Sequence, residues 1–273
     1  MTVPTFGMTV QRRGWTPRSE HFYNRLLVGL EEELLRQGHA MIVKLVADRD
    51  EERATFVRWA ETGPVDAVVC KDITLDEGIE DELHRLGLRY AVLGDSHQPI
   101  AANAVLVDNA GALRAVLDHL RAAGHRRIDW LTGPPSQWQT HSRQLAFAEY
   151  VEAGLIDGVM SPAEYDEDRC RDLVRAAMKR ERPPTAFVLD GGHLATVSLE
   201  VLRRLGHSVP GDVSLVSWDD SLACLRADPP VSALDHHVED LGRGLARCLV
   251  DALAGRERRE VGPTPNLVLR SST

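Results

Sequence analysis

A pair of carboxylates at the end of an apolar run is the most chemically suggestive feature of this sequence. Asp219 and Asp220 directly follow residues 213–218, which read VSLVSW. Two adjacent carboxylates can act as acid and base, bind Mg²⁺, or accept hydrogen bonds from the hydroxyls of a sugar or nucleoside. Ligands of open α/β sheets bind beyond the carboxyl ends of strands. Asp219 is therefore predicted to contact a ligand, with a turn or capping role as the alternative.

Motifs of the common enzyme classes are missing. The sequence has no GxxxxGK[ST] phosphate loop and no GxSxG nucleophile motif, and its closest approach to GxGxxG, at residues 242–244, lies in a predicted helix. Asp95, Ser96 and His97 are the residue types of a hydrolase triad. Adjacent residues rarely converge on one reacting atom, so a loop is predicted there. We therefore expect no catalytic residue and no cofactor.

Metal-binding patterns are equally weak. His236 and His237 are neighbours in a predicted strand, where successive side chains point to opposite faces, so a structural or surface role is favoured over joint ligation of a metal. The four cysteines are widely scattered and form no CxxC pair. They are predicted to be reduced, partly buried thiols in a cytosolic protein, and no metal site is expected.

Composition and charge restrict the function further. The chain has 273 residues, with 32 Lys and Arg against 41 Asp and Glu, which gives a formal net charge of −9. Proteins that bind DNA directly usually present a basic surface, so this chain by itself is a poor DNA binder. No apolar run reaches the roughly 18–20 residues that span a bilayer, and the N-terminus lacks the pattern of a secretory signal. A cytoplasmic protein without a membrane partner is predicted.

Short apolar runs alternate with amphipathic runs along most of the chain. Strands are predicted at residues 5–10, 41–46, 67–70, 90–93, 104–107, 128–132, 186–190, 213–218, 231–237 and 267–270, and helices in most of the intervals. Strands that alternate with helices of roughly 10–15 residues indicate parallel βαβ units, so the fold class is α/β. Two sheets of about five or six strands fit this length better than one large sheet.

Residues 184–220 resemble the effector-binding core of the lactose-repressor (LacI/GalR) family of bacterial transcription regulators. They read PTAFVLDGGHLATVSLEVLRRLGHSVPGDVSLVSWDD, close to the family pattern of a PTA-led strand, an Asn-Asp pair, a helix and VPxDVSVVGFDD. Residues 124–132 (GHRRIDWLT), Arg143, and the closing LVLRSST at 267–273 also match the family. The resemblance covers nearly the whole chain and is most specific after residue 104.

The resemblance implies a type I periplasmic-binding-protein-like fold, with two Rossmann-like parallel-sheet lobes joined by three crossover segments. The first lobe would hold residues 1–106 plus 236–262, and the second would hold residues 107–235 plus 263–273. The family's helix-turn-helix is not found in this chain, which would then be an excised effector domain or a regulator without its own DNA reader. Operator DNA would be contacted only through such an N-terminal domain.

The function implied is that of a homodimeric transcription regulator whose interlobe cleft binds a small-molecule effector, with a sugar or sugar derivative as the family's default. The sequence leaves three alternatives open. The first is a solute-binding protein of a sugar transport system, and the second is a metal-dependent enzyme that uses Asp219 and Asp220. The third is a sensor whose signal is a partner protein.

The resemblance also implies candidate ligand-binding residues. Arg143 and Asp219 match the family's cleft arginine and aspartate, which would clamp effector hydroxyls between donor and acceptor groups. Trp218 stands where the family has Phe or Tyr, with core packing as the alternative. Tyr165 falls where sugar-binding members place a stacking aromatic ring, and Trp138, predicted in the loop after Gly133, is a further cleft candidate.

The chain departs from the family at the Asn-Asp pair, which is replaced by Gly191 and Gly192. Asp190 or His193 would then substitute for the lost polar side chain, or a bulkier ligand would use the vacated space. Residues 11–20 also lack the family's usual element, and Arg12, Arg13 or Trp15 would either face the cleft or lie in a solvated loop. An acidic or phosphorylated effector is therefore open beside a sugar.

Overall fold

The computed structural model describes residues 3–11, 21–76, 78–100 and 103–273. Its strands are β1 (Thr5–Gln11), β2 (Ala40–Val46), β3 (Ala67–Cys70), β4 (Arg89–Asp95), β5 (Asn103–Val107), β6 (Ile128–Thr132), β7 (Met160–Pro162), β8 (Ala186–Leu189), β9 (Ser214–Ser217), β10 (Ser232–Asp235), β11 (Arg259–Val261) and β12 (Asn266–Val268). Its helices are α1 (His21–Arg36), α2 (Arg49–Thr62), α3 (Ile79–Arg85), α4 (Asn109–Ala122), α5 (Trp138–Glu152), α6 (Glu167–Met178), α7 (Gly192–Arg204), α8 (Leu222–Arg226) and α9 (Val238–Leu253).

The chain divides into two compact units. Unit 1 comprises Met1–Asp108 and His237–Pro263, and unit 2 comprises Asn109–His236 and Thr264–Thr273. The chain therefore passes from one unit to the other three times. The predicted α/β class with two parallel-dominated sheets is confirmed, since each unit contains a six-stranded sheet within the described residues.

The sheet of unit 1 has the strand order β11-β5-β4-β3-β1-β2. All neighbouring strands in this sheet are parallel, and the central strands are buried runs such as AVVC in β3. Leu26, Leu30 and Leu34 recur at helical spacing and bury one side of α1 against this core. The amphipathic pattern of the sequence thus directly produces the helix layer.

Two glycines allow α1 and α9 to cross at short range. A β-carbon built at Gly29 would lie 1.9 Å from the carbonyl oxygen of Glu239, and one at Gly242 would lie 2.3 Å from the carbonyl oxygen of Leu26. No larger residue fits at either position without separating the helices. Gly242 therefore serves helix packing, consistent with its predicted place in a helix rather than in a cofactor loop.

The sheet of unit 2 has the order β12-β10-β9-β8-β6-β7, with only β12 antiparallel to its neighbour. From β6 the chain goes to β7 on one side and then to β8 on the other. The carboxyl ends of β6 and β8 thus form a topological switch point, where the connecting helices lie on opposite faces of the sheet and leave a crevice. Trp130 and Phe147 fill one face, and Phe187 and Leu202 fill the other.

Some element predictions were wrong in detail. The predicted strand at 231–237 ends at Asp235, so His236 and His237 are not strand neighbours; His237 has φ 49° and precedes α9. Trp138 begins α5 rather than lying in a loop. The short elements α8 and β11 were not predicted, because five and three residues are too few to show a clear periodicity.

Across the described ranges, no helix is long and apolar enough to cross a membrane.

Candidate functional site

The candidate site lies at the carboxyl edge of the sheet in unit 2. The register pairs Leu131 of β6 with Leu189 of β8, and Leu189 with Ser217 of β9. Asp190 directly follows β8, and Trp218 and Asp219 directly follow β9. The backbone N–H of Trp218 donates to the carbonyl of Leu189 at 2.8 Å, which continues the ladder past the last strand residue. The sheet therefore places these polar side chains side by side.

Asp190 is the centre of the site. It is 1% exposed, and its carboxylate accepts hydrogen bonds from Arg143 Nη1 at 3.0 Å, Trp130 Nε1 at 2.8 Å and the backbone N–H of Gly133 at 2.7 Å. A buried carboxylate is tolerated only when it is paired and well hydrogen-bonded, and these three donors meet that condition. Asp190 is thus an internal anchor of the site.

Arg143 is held just as firmly. It projects from the second turn of α5 and is 2% exposed. Its Nε donates to the carbonyl of Gln139 at 3.0 Å and its Nη2 to Thr140 Oγ1 at 3.3 Å, while its Cζ lies 4.4 Å from the centre of the Trp218 ring. A guanidinium over an indole gains cation–π attraction, so Trp218 supports the arginine from one side.

Asp219 differs from Asp190 because its carboxylate accepts no hydrogen bond from any residue that the structure describes. Only its backbone groups are bonded, to Ser217, Ser221 and Cys224. The side chain is half-buried. Burial and the neighbouring charge of Asp190 raise the pKa of Asp219 to about 6, against a smaller opposing effect of Arg143. The carboxylate is poised to accept hydrogen bonds from a ligand.

The backbone of Gly191 passes close to the side chains of His193 and Asp219. It has φ 120°, and a β-carbon there would lie 3.0 Å from His193 Cε1 and 3.8 Å from Asp219 Oδ2. A β-carbon at Gly192 would lie 2.1 Å from Ser221 Oγ. The hypothesis that the glycines vacate space for a bulkier ligand is therefore wrong at Gly192, where Ser221 occupies that space.

His193 and Tyr165 flank the same region. His193 Nε2 lies 3.2 Å from the carbonyl oxygen of Tyr165, and the two ring centres are 6.5 Å apart. Burial lowers the pKa of His193. Tyr165 is 38% exposed, and its hydroxyl would be 2.5 Å from a β-carbon at Gly133. The aromatic ring thus lies over the glycine that donates to Asp190.

Trp138 takes no part in the hydrogen bonds of Asp190. Its half-buried ring packs edge-on against His141 at 6.1 Å in the first turn of α5. Trp218 is 7% exposed and belongs to the core cluster of unit 2, and its carbonyl is 2.7 Å from His236 Nε2. Both the ligand-contact and core-packing interpretations had been open for Trp218, and its present contacts are those of a core residue that supports Arg143.

Two contributors were missed from sequence. Trp130 and Gly133 both donate to Asp190. Trp130 lies within the apolar strand β6 and looked like an ordinary core residue, although an indole N–H that is buried usually needs an acceptor. A search for acceptors near the neighbouring strand ends would have paired it with Asp190.

The other residues considered for catalysis or metal binding make contacts typical of structural roles. Asp220 is paired with Arg270 at 2.7 Å, so the two adjacent aspartates do not act on one shared atom. In the Asp95-Ser96-His97 turn, Nδ1 of His97 is 3.2 Å from both the serine hydroxyl and the aspartate, whereas a triad uses the two ring nitrogens separately. The described residues contain no cluster of three or more potential metal ligands. Arg12, Arg13 and Trp15 lie outside the described residues.

Comparisons with known proteins agree with this architecture. Residues 117–273, more than half of the chain, match the family of periplasmic binding protein-like domains. The chain is 28% identical over 272 residues to the HTH-type transcriptional regulator CelR of Thermobifida fusca, covering 94% of this chain and 77% of that protein. It is 24% identical over 244 residues to the transcriptional repressor CytR of Escherichia coli, covering 86% and 70%.

Solved structures give the same result. A LacI family transcriptional regulator from Bifidobacterium animalis superposes with a TM-score of 0.88 and 25% identity, covering 98% of this chain and 97% of that one. The complex of the regulator CelR with cellobiose also gives a TM-score of 0.88 at 25% identity, covering 98% and 84%. The chain belongs to the family of periplasmic binding protein-like domains and is the effector-binding domain of a LacI-family transcription regulator.

Proposed function

We propose that this domain binds a sugar-like effector at the site of unit 2, with Asp219 as the principal acceptor for effector hydroxyls. The observation that carries the proposal is the unshared, half-buried carboxylate of Asp219 beside the fixed Arg143–Asp190 pair. Leaving a carboxylate partly desolvated without a donor costs free energy, which a ligand with hydroxyl donors recovers.

The remaining site residues have graded roles in this proposal. Arg143 uses three of its five N–H groups on Asp190, Gln139 and Thr140, which leaves two for an effector. Tyr165 and Trp138 offer ring faces suited to the C–H face of a sugar ring. Asp190 and Trp218 hold Arg143 in place. His193, at the start of α7, is a further ligand contact in this proposal.

The comparison with CelR supports a sugar as the effector class. The structure of CelR in complex with cellobiose superposes on this chain with a TM-score of 0.88. Effector binding shifts the population between two conformations, by an amount set by the effector's difference in affinity for them. In a regulator this shift changes the affinity for operator DNA, which a separate DNA-reading domain contacts.

A homodimer is part of the proposal. The edge strand β2 exposes Ile42 and Val43, at 37% and 44%, and α1 exposes Val28 and Leu35, at 47% and 61%. Val28 and Leu35 lie about two turns apart on one face of α1, and exposed apolar side chains on a helix beside an open edge strand indicate a protein contact. Val43→Glu is expected to shift the protein toward the monomer in analytical ultracentrifugation. Val261→Glu, at the opposite edge strand β11, is the matched control and is expected to leave the mass unchanged.

We further propose that the domain is a non-catalytic sensor that works in the cytoplasm, where operator DNA is found. The sugar transport alternative is not favoured, since the relatives are transcription regulators. A thermal-shift screen of sugars tests the function, because a specific ligand raises the melting temperature by mass action. A sugar that stabilises wild type but not Asp219→Ala supports the proposal. Equal stabilisation of both proteins contradicts it.

A further inference from the structure

The tautomer of His193 follows from the hydrogen bond that its ring makes with Tyr165. Its Nε2 is 3.2 Å from the carbonyl oxygen of Tyr165, and a carbonyl oxygen can only accept. Nε2 therefore carries the proton, and in a neutral imidazole Nδ1 is then an unprotonated acceptor. Nδ1 has no partner among the described residues, and it lies 3.1 Å from the position that a β-carbon on Gly191 would occupy.

Asp219 Oδ2 lies 3.8 Å from that same position. Two acceptors, one imidazole nitrogen and one carboxylate oxygen, thus lie 3.1 Å and 3.8 Å from one point, and neither accepts a hydrogen bond from a described residue. Gly191 itself offers no side chain, so nothing from this residue satisfies either acceptor. A ligand that presents two nearby donors can satisfy both acceptors at once.

The positive charge of the site is already used internally. Arg143, the fully buried cation, is paired with Asp190, and Asp219 adds a second carboxylate with no cation of its own. His193 and Asp219 are the groups near the Gly191 position, and Glu167 of α6, which also acts on His193, is itself paired with Arg171 at 3.0 Å, so Asp219 carries the uncompensated charge. A ligand with a phosphate or carboxylate would meet uncompensated negative charge here, and like charges in close contact are strongly unfavourable.

We propose that His193 is a specificity-determining residue, and that Nδ1 of His193 and the carboxylate of Asp219 together select effectors that present adjacent hydrogen-bond donors and carry no negative charge. The shared chemistry is a pair of neighbouring hydroxyls, or a hydroxyl beside an ammonium group. This inference rests on the proposed function, because it deepens the ligand class of the same site. It excludes acidic and phosphorylated effectors, which the sequence had left open as an alternative to a sugar.

Calorimetry and thermal shift with sugars matched in shape test the selectivity. The probes are glucose, glucosamine, glucuronate and glucose 6-phosphate, together with cellobiose and cellobiouronate, in which both rings stay closed. We expect binding only by neutral or amino members, with the anionic counterpart of each binder at least about tenfold weaker, because of like-charge repulsion. An anionic member that binds tightest overturns the inference and leaves the proposed sugar sensor intact. Binding by no member overturns the sugar effector itself.

Variants of His193 test its own role. His193→Phe keeps the ring volume but removes the acceptor, and is expected to weaken the best neutral binder by about fivefold to tenfold. His193→Gln restores an acceptor and is expected to recover affinity to within about threefold of wild type. His207→Phe, beyond the other end of α7, is the matched control. Wild-type affinity and unchanged discrimination against glucuronate in His193→Phe would overturn the role of His193.

Discussion

The guanidinium carbon of Arg143 lies 4.4 Å from the centre of the Trp218 ring, while its Nη1 donates to Asp190 at 3.0 Å. The arginine is therefore fixed from two sides before any effector arrives. Preorganisation of this kind lowers the entropic cost of binding. It also makes the arginine part of the fold, so its removal affects stability as well as affinity.

Asp190→Ala is expected to lower the free energy of unfolding by about 3–5 kcal/mol, because it leaves the buried charge of Arg143 without its partner. The double variant Asp190→Ala/Arg143→Met removes the charge and is expected to recover much of this loss. Urea denaturation of the single and double variants measures the difference. A double variant no more stable than Asp190→Ala would contradict the importance of the pair.

Gly192→Ala is expected to destabilise the protein by about 1–3 kcal/mol, since its β-carbon would lie 2.1 Å from Ser221 Oγ. The second substitution Ser221→Gly in that background removes the obstructing hydroxymethyl group and should return part of the stability. Melting temperatures of the two variants provide the measurement. Gly206→Ala is not a suitable control because of its positive φ, and Ala223→Ser on α8 serves instead.

Asp219→Asn is expected to stabilise the unliganded protein at neutral pH by about 1–2 kcal/mol while removing effector binding. The folded state raises the pKa of Asp219 from 3.8 to about 6, so ionisation opposes folding above pH 6. That cost shrinks as the pH falls from 6 to 3.8 and is gone below 3.8, where both states are protonated. The stability difference between wild type and Asp219→Asn should therefore shrink on acidification, and a constant difference across this range would contradict it.

Effector affinity is expected to decrease as the pH falls below about 6, approaching tenfold per pH unit, because protonated Asp219 loses acceptor capacity. Asp190 and Arg143 act on this carboxyl from β8 and α5, and the Cys224 thiol contacts its backbone from α8. His193 gains a proton on acidification and then adds to the loss. Calorimetry over the range pH 5 to 8 measures the profile; affinity that is flat below 6 would rule out an ionised Asp219 as the acceptor.

The sequence predicted the architecture well where the signals are local. Apolar runs ending in Asp190 and Asp219 indicated parallel strands whose carboxyl ends carry polar groups, and β8 and β9 confirm this pattern. Family resemblance likewise identified the fold class. The short helix α8 was missed although Ser221 caps it, because five residues show no clear periodicity, and the start of α5 was missed because Gln137 provides no side-chain cap.

The hydrogen-bonded pairing of side chains within the site could not be predicted from the sequence. Arg143 and Asp219 were predicted to clamp a ligand between them, but the sequence did not show that Arg143 is hydrogen-bonded to Asp190, which is 47 residues away along the chain. The choice between two aspartates at neighbouring strand ends depends on which one the second turn of α5 faces. That relation is a tertiary one, and neither periodicity nor motif spacing contains it.

The most direct test of the account is calorimetric titration of wild type, Asp219→Asn and Asp228→Asn with the neutral sugar that most stabilises wild type in the screen. Asp228 is the control because its side chain is 96% exposed and pairs only with Arg203 among the salt bridges of the described residues. We predict wild-type affinity for Asp228→Asn and a loss of at least about thirtyfold for Asp219→Asn, since a charged hydrogen bond is removed. Equal affinity in all three proteins would contradict the assignment of the site.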